Sequence, residues 1–277
     1  MSHTYDKNII QTEDFDLLVV CGWQRLIPSW LIEKARVAVI GAHGSAYGLI
    51  QGRGRSPQNW ALLEHKPKLD VYIFRITTGI DDGPILMQQS FNYSDFDDIE
   101  SSYFKSAWVL SQLLITLLRD PKPEHFAGIP QSGEAKYLPQ RIPEDGGIDW
   151  NRPLFEIYNQ IRALTRPYPG AFTFMGDHKI HIWQAIPFQI DVEQEFLPGQ
   201  IARIFNNGAA FAVKCSDSFL LIRNYSSPTH WCPEVSLVFK SFYFRDNLQQ
   251  IITRHTTNYP DLPIQEDILR KLEHHFS

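Results

Sequence analysis

Two glycine-rich stretches of this chain carry side chains able to do acid–base work. One runs Gly41-Ala42-His43-Gly44-Ser45-Ala46-Tyr47-Gly48 and continues through Gly52 to Arg53-Gly54-Arg55-Ser56-Pro57. The other is Thr77-Thr78-Gly79-Ile80-Asp81-Asp82-Gly83-Pro84. A histidine and an aspartate brought together from two such stretches can stabilise an oxyanion and move a proton. Arg53 and Arg55, set among glycines, suit an anionic ligand. Each feature also has a blander reading. A histidine in a Gly-rich turn is ordinarily a surface or structurally bonded residue, and Asp-Asp-Gly-Pro is ordinarily a turn. Exposed arginines are ordinarily solvated charges, and Trp60, two residues into a helix, reads as core. Gly41 to Gly48 does not spell a dinucleotide fingerprint, and a Walker A lysine is absent.

The elements that must position these residues follow from periodicity. Asp16 to Cys21 and Arg36 to Ile40 are nearly continuous in apolar residues, which predicts interior strands of a parallel sheet covered on both faces. Asp70 to Ile76 alternates, and Pro84 to Met87 reads as another short strand. Between Ile99 and Leu118 apolar residues recur at three and four, which predicts a helix packed on that sheet. In an open α/β sheet ligands bind beyond the carboxyl ends of the strands, where both Gly-rich stretches are expected as loops.

Prolines and glycines between Tyr137 and Pro153 mark a boundary. A helix with Leu154, Ile157, Tyr158, Ile161 and Leu164 on one face follows, with Asn151 as its expected cap. Five short strands then begin near Ala171, Lys179, Gln200, Phe211 and Phe219, separated by Gly, Asn and Asp turns, which predicts a small OB-like barrel. The expected fold class is therefore α/β: a partial Rossmann-like open parallel sheet followed by a small β-rich domain. The expected divisions are 1–140, 141–225 and a tail, 226–277, with helical spacing from Ile264 to Phe276.

Composition narrows the function. The 277 residues carry 26 Lys+Arg against 31 Asp+Glu, a net charge of −5 that gives no electrostatic reason to hold a nucleic acid. No stretch approaches the apolar run of a membrane span, and the N-terminus lacks the basic and apolar regions of a secretory signal. Cys21, Cys215 and Cys232 are widely spaced and odd in number, fitting a reducing, cytoplasmic setting.

The order and spacing of the pieces carry more than any one alone. Asp16-Leu17-Leu18-Val19-Val20, Ile27-Pro28, His43-Gly44-Ser45, Arg53-Gly54-Arg55-Ser56-Pro57 with Asn59-Trp60-Ala61, and Ile80-Asp81-Asp82-Gly83-Pro84-Ile85-Leu86 resemble, in that order, the folate-dependent formyltransferase family. The look is closest to its sugar-nucleotide N-formyltransferases. Ile148 to Pro153 and Ile161 to Phe172 resemble the entrance to the family's C-terminal domain, so the similarity covers residues 14 to 225.

The resemblance implies an N-formyltransferase that moves a formyl group from 10-formyltetrahydrofolate to the amine of a nucleotide-linked amino sugar, a dTDP- or UDP-sugar, without a metal. His43 matches the histidine that bonds the formyl oxygen as the tetrahedral intermediate forms. Asp81 matches the aspartate that fixes or charges that histidine and assists proton removal from the amine. Trp23, Arg25, Leu26 and Ile27 fall in the loop whose backbone holds the pterin ring, bordered by Gly79 and Ile80. Ser45, Arg53 and Arg55 fall on the substrate side, where the arginines would meet sugar-nucleotide or folate carboxylate charges.

Two departures from the family pattern stand out. Gly41 replaces an asparagine two residues before the histidine, and loss of one oxyanion donor can cost roughly 2.7–4 kcal/mol; Asn59, on the following helix, is not expected to replace it. Relatives also carry earlier strands ahead of Asp16. Without them sheet edge and apolar face are left to be covered by residues 1–15, by the tail or by a second copy, and a homodimer is the expected answer. Methionyl-tRNA formyltransferase, and a non-catalytic remnant that binds folate or a nucleotide sugar, are the alternative readings.

Overall fold

The computed structural model describes residues 3–23 and 25–273. After a first helix, α1 (His3–Thr12), a four-stranded sheet carries the site, in the order β1 (Leu17–Val20), β2 (Ala38–Ser45), β4 (Lys68–Arg75) and β5 (Ile85–Asn92). Helix α2 (Ser29–Lys34) joins β1 to β2. Between β2 and β4 the chain forms α3 (Gly48–Gln51), the two-residue strand β3 (Arg53–Gly54) and α4 (Pro57–Leu63). Helix α5 (Ile99–Leu118) follows β5 and lays Val109, Leu113 and Leu117 on Ala38, Ile40, Leu69, Val71 and Ile73.

The sheet is mixed rather than parallel, which corrects the expectation from the apolar runs. Only β1 and β2 are parallel; β2–β4 and β4–β5 are antiparallel. The loop 76–84 between β4 and β5 is too short for a parallel crossover, so those strands close as a hairpin. Among the described residues β1 is an edge strand, not an interior one, and Val19 stays 38% exposed. Among the described residues the tail packs elsewhere. Its helices α7 (Phe244–Asn258) and α8 (Glu266–Glu273) pack Leu248, Ile251, Ile252 and Ile268, with Ile264 just ahead of α8, against Trp60 and Leu138. On the outer side of α5, Phe104, Trp108 and Ile115 are exposed.

The expected strands of the second half all form. β7 (Ala171–Met175), β8 (His178–Phe188), β9 (Ile201–Phe205), β10 (Ala210–Lys214) and β11 (Phe219–Ser226) make one antiparallel sheet in the order β7-β8-β11-β10-β9. Its core gathers Trp150, Phe211 and Phe239, with Trp150 stacked on Phe239 at 5.7 Å. Helix α6 (Leu154–Leu164) packs on this sheet and on α4, and Asn59 of α4 donates to the Ala163 carbonyl at 2.6 Å. The cap of α6 is not Asn151, whose side chain donates to Asp149; Asp217 accepts from the Leu154 amide at 2.7 Å instead. A partner distant in sequence has taken the role expected of a neighbour.

Asp97 fastens the start of α5 to these layers. It accepts from the Ser94 amide, from Ser101 and from Lys105, while its carbonyl accepts from Arg162 of α6 at 2.7 Å. Burial alone would raise the Asp97 carboxyl, but the Lys105 ammonium and the Ser94 and Ser101 donors outweigh it and hold it below the ordinary value. A carboxyl lowered in the folded state adds stability that is present above its unfolded pKa and is lost as pH falls through the folded one. Asp97→Asn is therefore expected to lower the melting temperature at neutral pH, with the gap from wild type closing on acidification below about pH 4. Thermal melts along a pH series check this; a gap constant down to the acid end contradicts it.

Candidate active site

His43 lies inside β2, not on a loop after it. The ladder with β4 runs through Gly41↔Phe74, His43↔Tyr72 and Ser45↔Asp70, so the Gly-rich run Gly41 to Ser45 is strand. On one face of this ladder Phe74, Tyr72, Leu49 and Ile76 form an apolar floor. The loop 76–84 folds back over it and brings Asp81 to His43, with Nδ1 to Oδ2 at 3.5 Å. The His43 side chain is 9% exposed and that of Asp81 23%. The pair is thus nearly dry but reachable from solvent.

Glycines set the rest of the geometry. A Cβ on Gly52 would stand 1.9 Å from the Ser45 hydroxyl, so only glycine lets this backbone pass so close. That approach places the Gly52 carbonyl 2.8 Å from His43 Nε2. Gly54 has φ +95, and its amide donates to Asp81 Oδ2 at 3.2 Å. Each ring nitrogen of His43 therefore faces an acceptor. A neutral imidazole can donate to one of them, an imidazolium to both. An incoming oxyanion would compete with Gly52 or Asp81 for one N–H of this ring.

Asp81 is held in the left-handed region, at φ +49. Such a conformation costs a non-glycine residue roughly 1–2 kcal/mol and needs support from its surroundings. The loop supplies some of this: Thr77 donates its hydroxyl to Asp82 and accepts from the Gly79 amide at 3.3 Å. More comes from the Gly54 amide on its carboxylate and from Gln131, which donates to the carbonyls of Asp81 at 2.8 Å and Gly83 at 2.7 Å. Reciprocal backbone bonds between Ile129 and Ile85, both 2.8 Å, bring this segment alongside β5. Sequence reasoning missed Gln131, because a lone glutamine in a polar connection carries no periodic signal.

The other expected residues separate into groups. Ser45 is fully buried, and its hydroxyl accepts from the Tyr47 amide, so it offers no surface to a ligand. Arg53 donates to Gln131 Oε1 at 2.8 Å, and Arg55 donates to Gln140 at 3.1 Å. Trp23, Arg25 and Leu26 are exposed on the turn after β1, Ile27 is buried, and Gln24 of that turn lies outside the described residues. β1 and β2 run side by side to Val20↔Gly41, so this turn emerges next to Ala42 and His43. Gly79 and Ile80 sit half-buried on the loop that carries Asp81. Asn59 is buried and turned toward α6, and Trp60 is core, its indole N–H donating to the Pro139 carbonyl. Burial, then the charge of Asp70, push the Tyr72 phenol beside His43 up to about 12, so it stays protonated. Among the described residues no cluster of His, Cys, Asp and Glu could hold a metal ion, and no helix is long and apolar enough to cross a membrane.

The sequence and the fold have known counterparts. The family described as "Formyl transferase" matches residues 4–118, and "Formyl transferase, C-terminal domain" matches residues 141–230. The chain belongs to the formyl transferase family. It is 34% identical over 190 residues to the bifunctional polymyxin resistance protein ArnA of Wigglesworthia glossinidia brevipalpis, a match that takes in 67% of this chain and 28% of ArnA. The fold also matches HypX from Aquifex aeolicus in complex with tetrahydrofolic acid, with TM-score 0.61 and 18% identity over 84% of this chain and 39% of HypX. An N-formyltransferase from Helicobacter canadensis, in complex with folinic acid and dTDP-3-aminofucose, gives TM-score 0.53 and 19% identity over 74% of this chain and 71% of that one. The chain thus spans well under half the length of ArnA and of HypX.

Within a formyl transferase, Gly41 leaves the place two residues before the histidine without a side-chain donor. A Cβ added there meets Ile76 Cδ1 at 3.0 Å and Phe74 at 3.6 Å, so the apolar floor fills the space. Gly41→Asn is expected to keep or raise formyl transfer while lowering stability by about 1–3 kcal/mol, the usual cost of overpacking. Steady-state rates and urea unfolding of the variant check both halves; a severe loss of turnover would show that the reaction needs the backbone room.

Proposed function

We propose that this formyl transferase moves the formyl group of 10-formyltetrahydrofolate to the primary amine of a nucleotide-linked amino sugar. The His43–Asp81 pair, close enough to act together and only partly closed to solvent, carries the reading. The 34% identity to ArnA supports a sugar amine as acceptor, and the dTDP-3-aminofucose and folinic acid named with the Helicobacter canadensis enzyme support the same pair of substrates.

The chemistry follows from the side chains. The neutral amine attacks the formyl carbon, and the carbonyl oxygen takes up negative charge. The His43 ring donates a hydrogen bond to that oxyanion in a site where little water screens it. Asp81, acceptor-only when ionised, takes the proton the amine sheds, directly or through the ring. Collapse of the tetrahedral intermediate breaks the bond from the formyl carbon to folate N10, and the leaving nitrogen is protonated by the same pair. In this reading Trp23, Arg25 and Leu26, exposed after β1, border the folate side with Gly79 and Ile80. Arg55, which follows β3 and bonds Gln140, is the cation this reading assigns to a phosphate or carboxylate.

The test is direct. Purified protein is incubated with 10-formyltetrahydrofolate and a panel of dTDP- and UDP-amino sugars, and the products are read by mass and NMR. Formylation of at least one sugar amine is expected. Formylation of methionyl-tRNA with no sugar accepted would overturn the proposal.

A further inference from the structure

We infer that Gln131, oriented by Arg53, is a positioning residue for Asp81. The inference rests on the reading of His43 and Asp81 given above. Gln131 touches neither of their side chains. Its amide nitrogen spends both protons on the carbonyls of Asp81 and Gly83, at 2.8 and 2.7 Å, and so grips the Asp81–Asp82 and Gly83–Pro84 peptide units. Its amide oxygen accepts from the Arg53 guanidinium at 2.8 Å. The two bonds on nitrogen and the one on oxygen fix which way the amide faces, since an exchanged amide would set an oxygen against two carbonyls and an NH2 against a guanidinium.

Geometry makes this clamp matter. Asp81 occupies a left-handed backbone conformation at φ +49, which the loop alone has little reason to keep. Thr77 and Asp82 tie the first half of the loop to itself; the Asp81 carboxylate meets the Gly54 amide and His43, and Gln131 holds the backbone carbonyls of the second half. Arg53 sits on the backbone immediately before Gly54, whose amide holds the Asp81 carboxylate. One arginine thus carries two links to Asp81: through the backbone to its carboxylate, and through Gln131 to its carbonyl. On this account the guanidinium of Arg53, expected from sequence on the substrate side, serves the site from behind.

Gln131→Met keeps the length of the side chain and removes both donors. Gln131→Glu keeps an acceptor for Arg53 but turns a carboxylate oxygen toward two carbonyls. Both are expected to lower kcat by about ten- to a hundredfold, the range in which a misplaced catalytic group registers, with KM for either substrate unchanged to within about twofold. A residue that merely stabilised the fold would lower the melting temperature and leave the kcat of the folded fraction alone. The imidazole 1H and 15N signals of His43 give a readout apart from turnover, and Gln131→Met should move them as Asp81→Asn does. A kcat within about twofold of wild type, or a loss confined to KM, overturns the inference while Asp81→Asn remains inactive. If Asp81→Asn keeps full turnover, the reading of the site has failed and the inference falls with it. Should no amine be turned over, the His43 signals decide alone: unmoved in Gln131→Met, they overturn the inference; moved as in Asp81→Asn, they support it.

Discussion

His43→Ala and Asp81→Asn are each expected to lower formyl transfer by about a thousandfold, the range set by losing an oxyanion donor or a positioned proton carrier. Asp81→Asn is the sharper of the two. Asparagine tolerates the left-handed backbone at least as well as aspartate, so φ +49 is no obstacle. Its amide oxygen can still accept from the Gly54 amide, and only the charge facing His43 is lost. Circular dichroism and melting temperature should stay near wild type, which confines the effect to chemistry. Single-turnover rates on the best sugar amine check the size, and an Asp81→Asn protein within about tenfold of wild type would remove Asp81 from the proton path.

The second large effect lies away from the site. Asp145 is buried beside three cationic or amide side chains. Its carboxylate accepts from Arg254 at 2.6 Å and from the Ile142 amide at 2.8 Å, while its carbonyl accepts from Arg141 at 2.7 Å and Asn247 at 3.1 Å. Burial pushes the Arg141 guanidinium down to about 10, with the Asp145 charge resisting and Arg254 and Arg152 adding to the shift. Removing that carboxylate leaves buried Arg141 without the anion that supports its charge and Arg254 without its ion-pair partner. Asp145→Ala is expected to cost about 3–5 kcal/mol, the cost of breaking a buried pair from one side. Against a total of about 5–15 kcal/mol that is a large share. Urea unfolding with an unchanged slope and a lowered midpoint would show it; a midpoint shift worth less than about 1 kcal/mol would mean the arginines find water or other partners.

Much of this architecture was legible from period and punctuation. The helix over Ile99 to Leu118 and the five late strands follow from residues that bury one face regardless of partner. What was not legible depends on partners distant in sequence. Gly41 to Ser45 reads as loop because glycine and polar residues dominate it, yet a full ladder with β4 makes it strand. Gln88, Gln89 and Ser90 extend β5 well past the apolar Ile85 to Met87, since an exposed hairpin edge needs no apolar side chains. Apolar runs suggested parallel strands, but they report burial and not direction. His43 and Asp81 stood out by residue type, whereas Gln131 became visible only when its three bonds were seen together.

The ladder of β3 with β6 (Tyr137–Leu138) has a third member. Tyr137 also bonds the tail, donating to the Pro263 carbonyl at 2.8 Å and accepting from the Gln265 amide at 3.0 Å. Arg53 and Gly54, which border Asp81, therefore sit on a strip whose far side is supplied by residues 263–265, far later in the chain. A ribosome delivers residue 54 long before residue 265, so the sheet beneath His43 can gather while the strip that shapes its mouth cannot. A chain that folds as it emerges is expected to build the floor of the site before its rim. The loops closed by these contacts join residues 53, 137 and 264, and such closures between remote segments are the slow steps of folding. Completion of the rim thus waits on residues of the tail, and not on the stretch of sequence that holds His43 and Asp81.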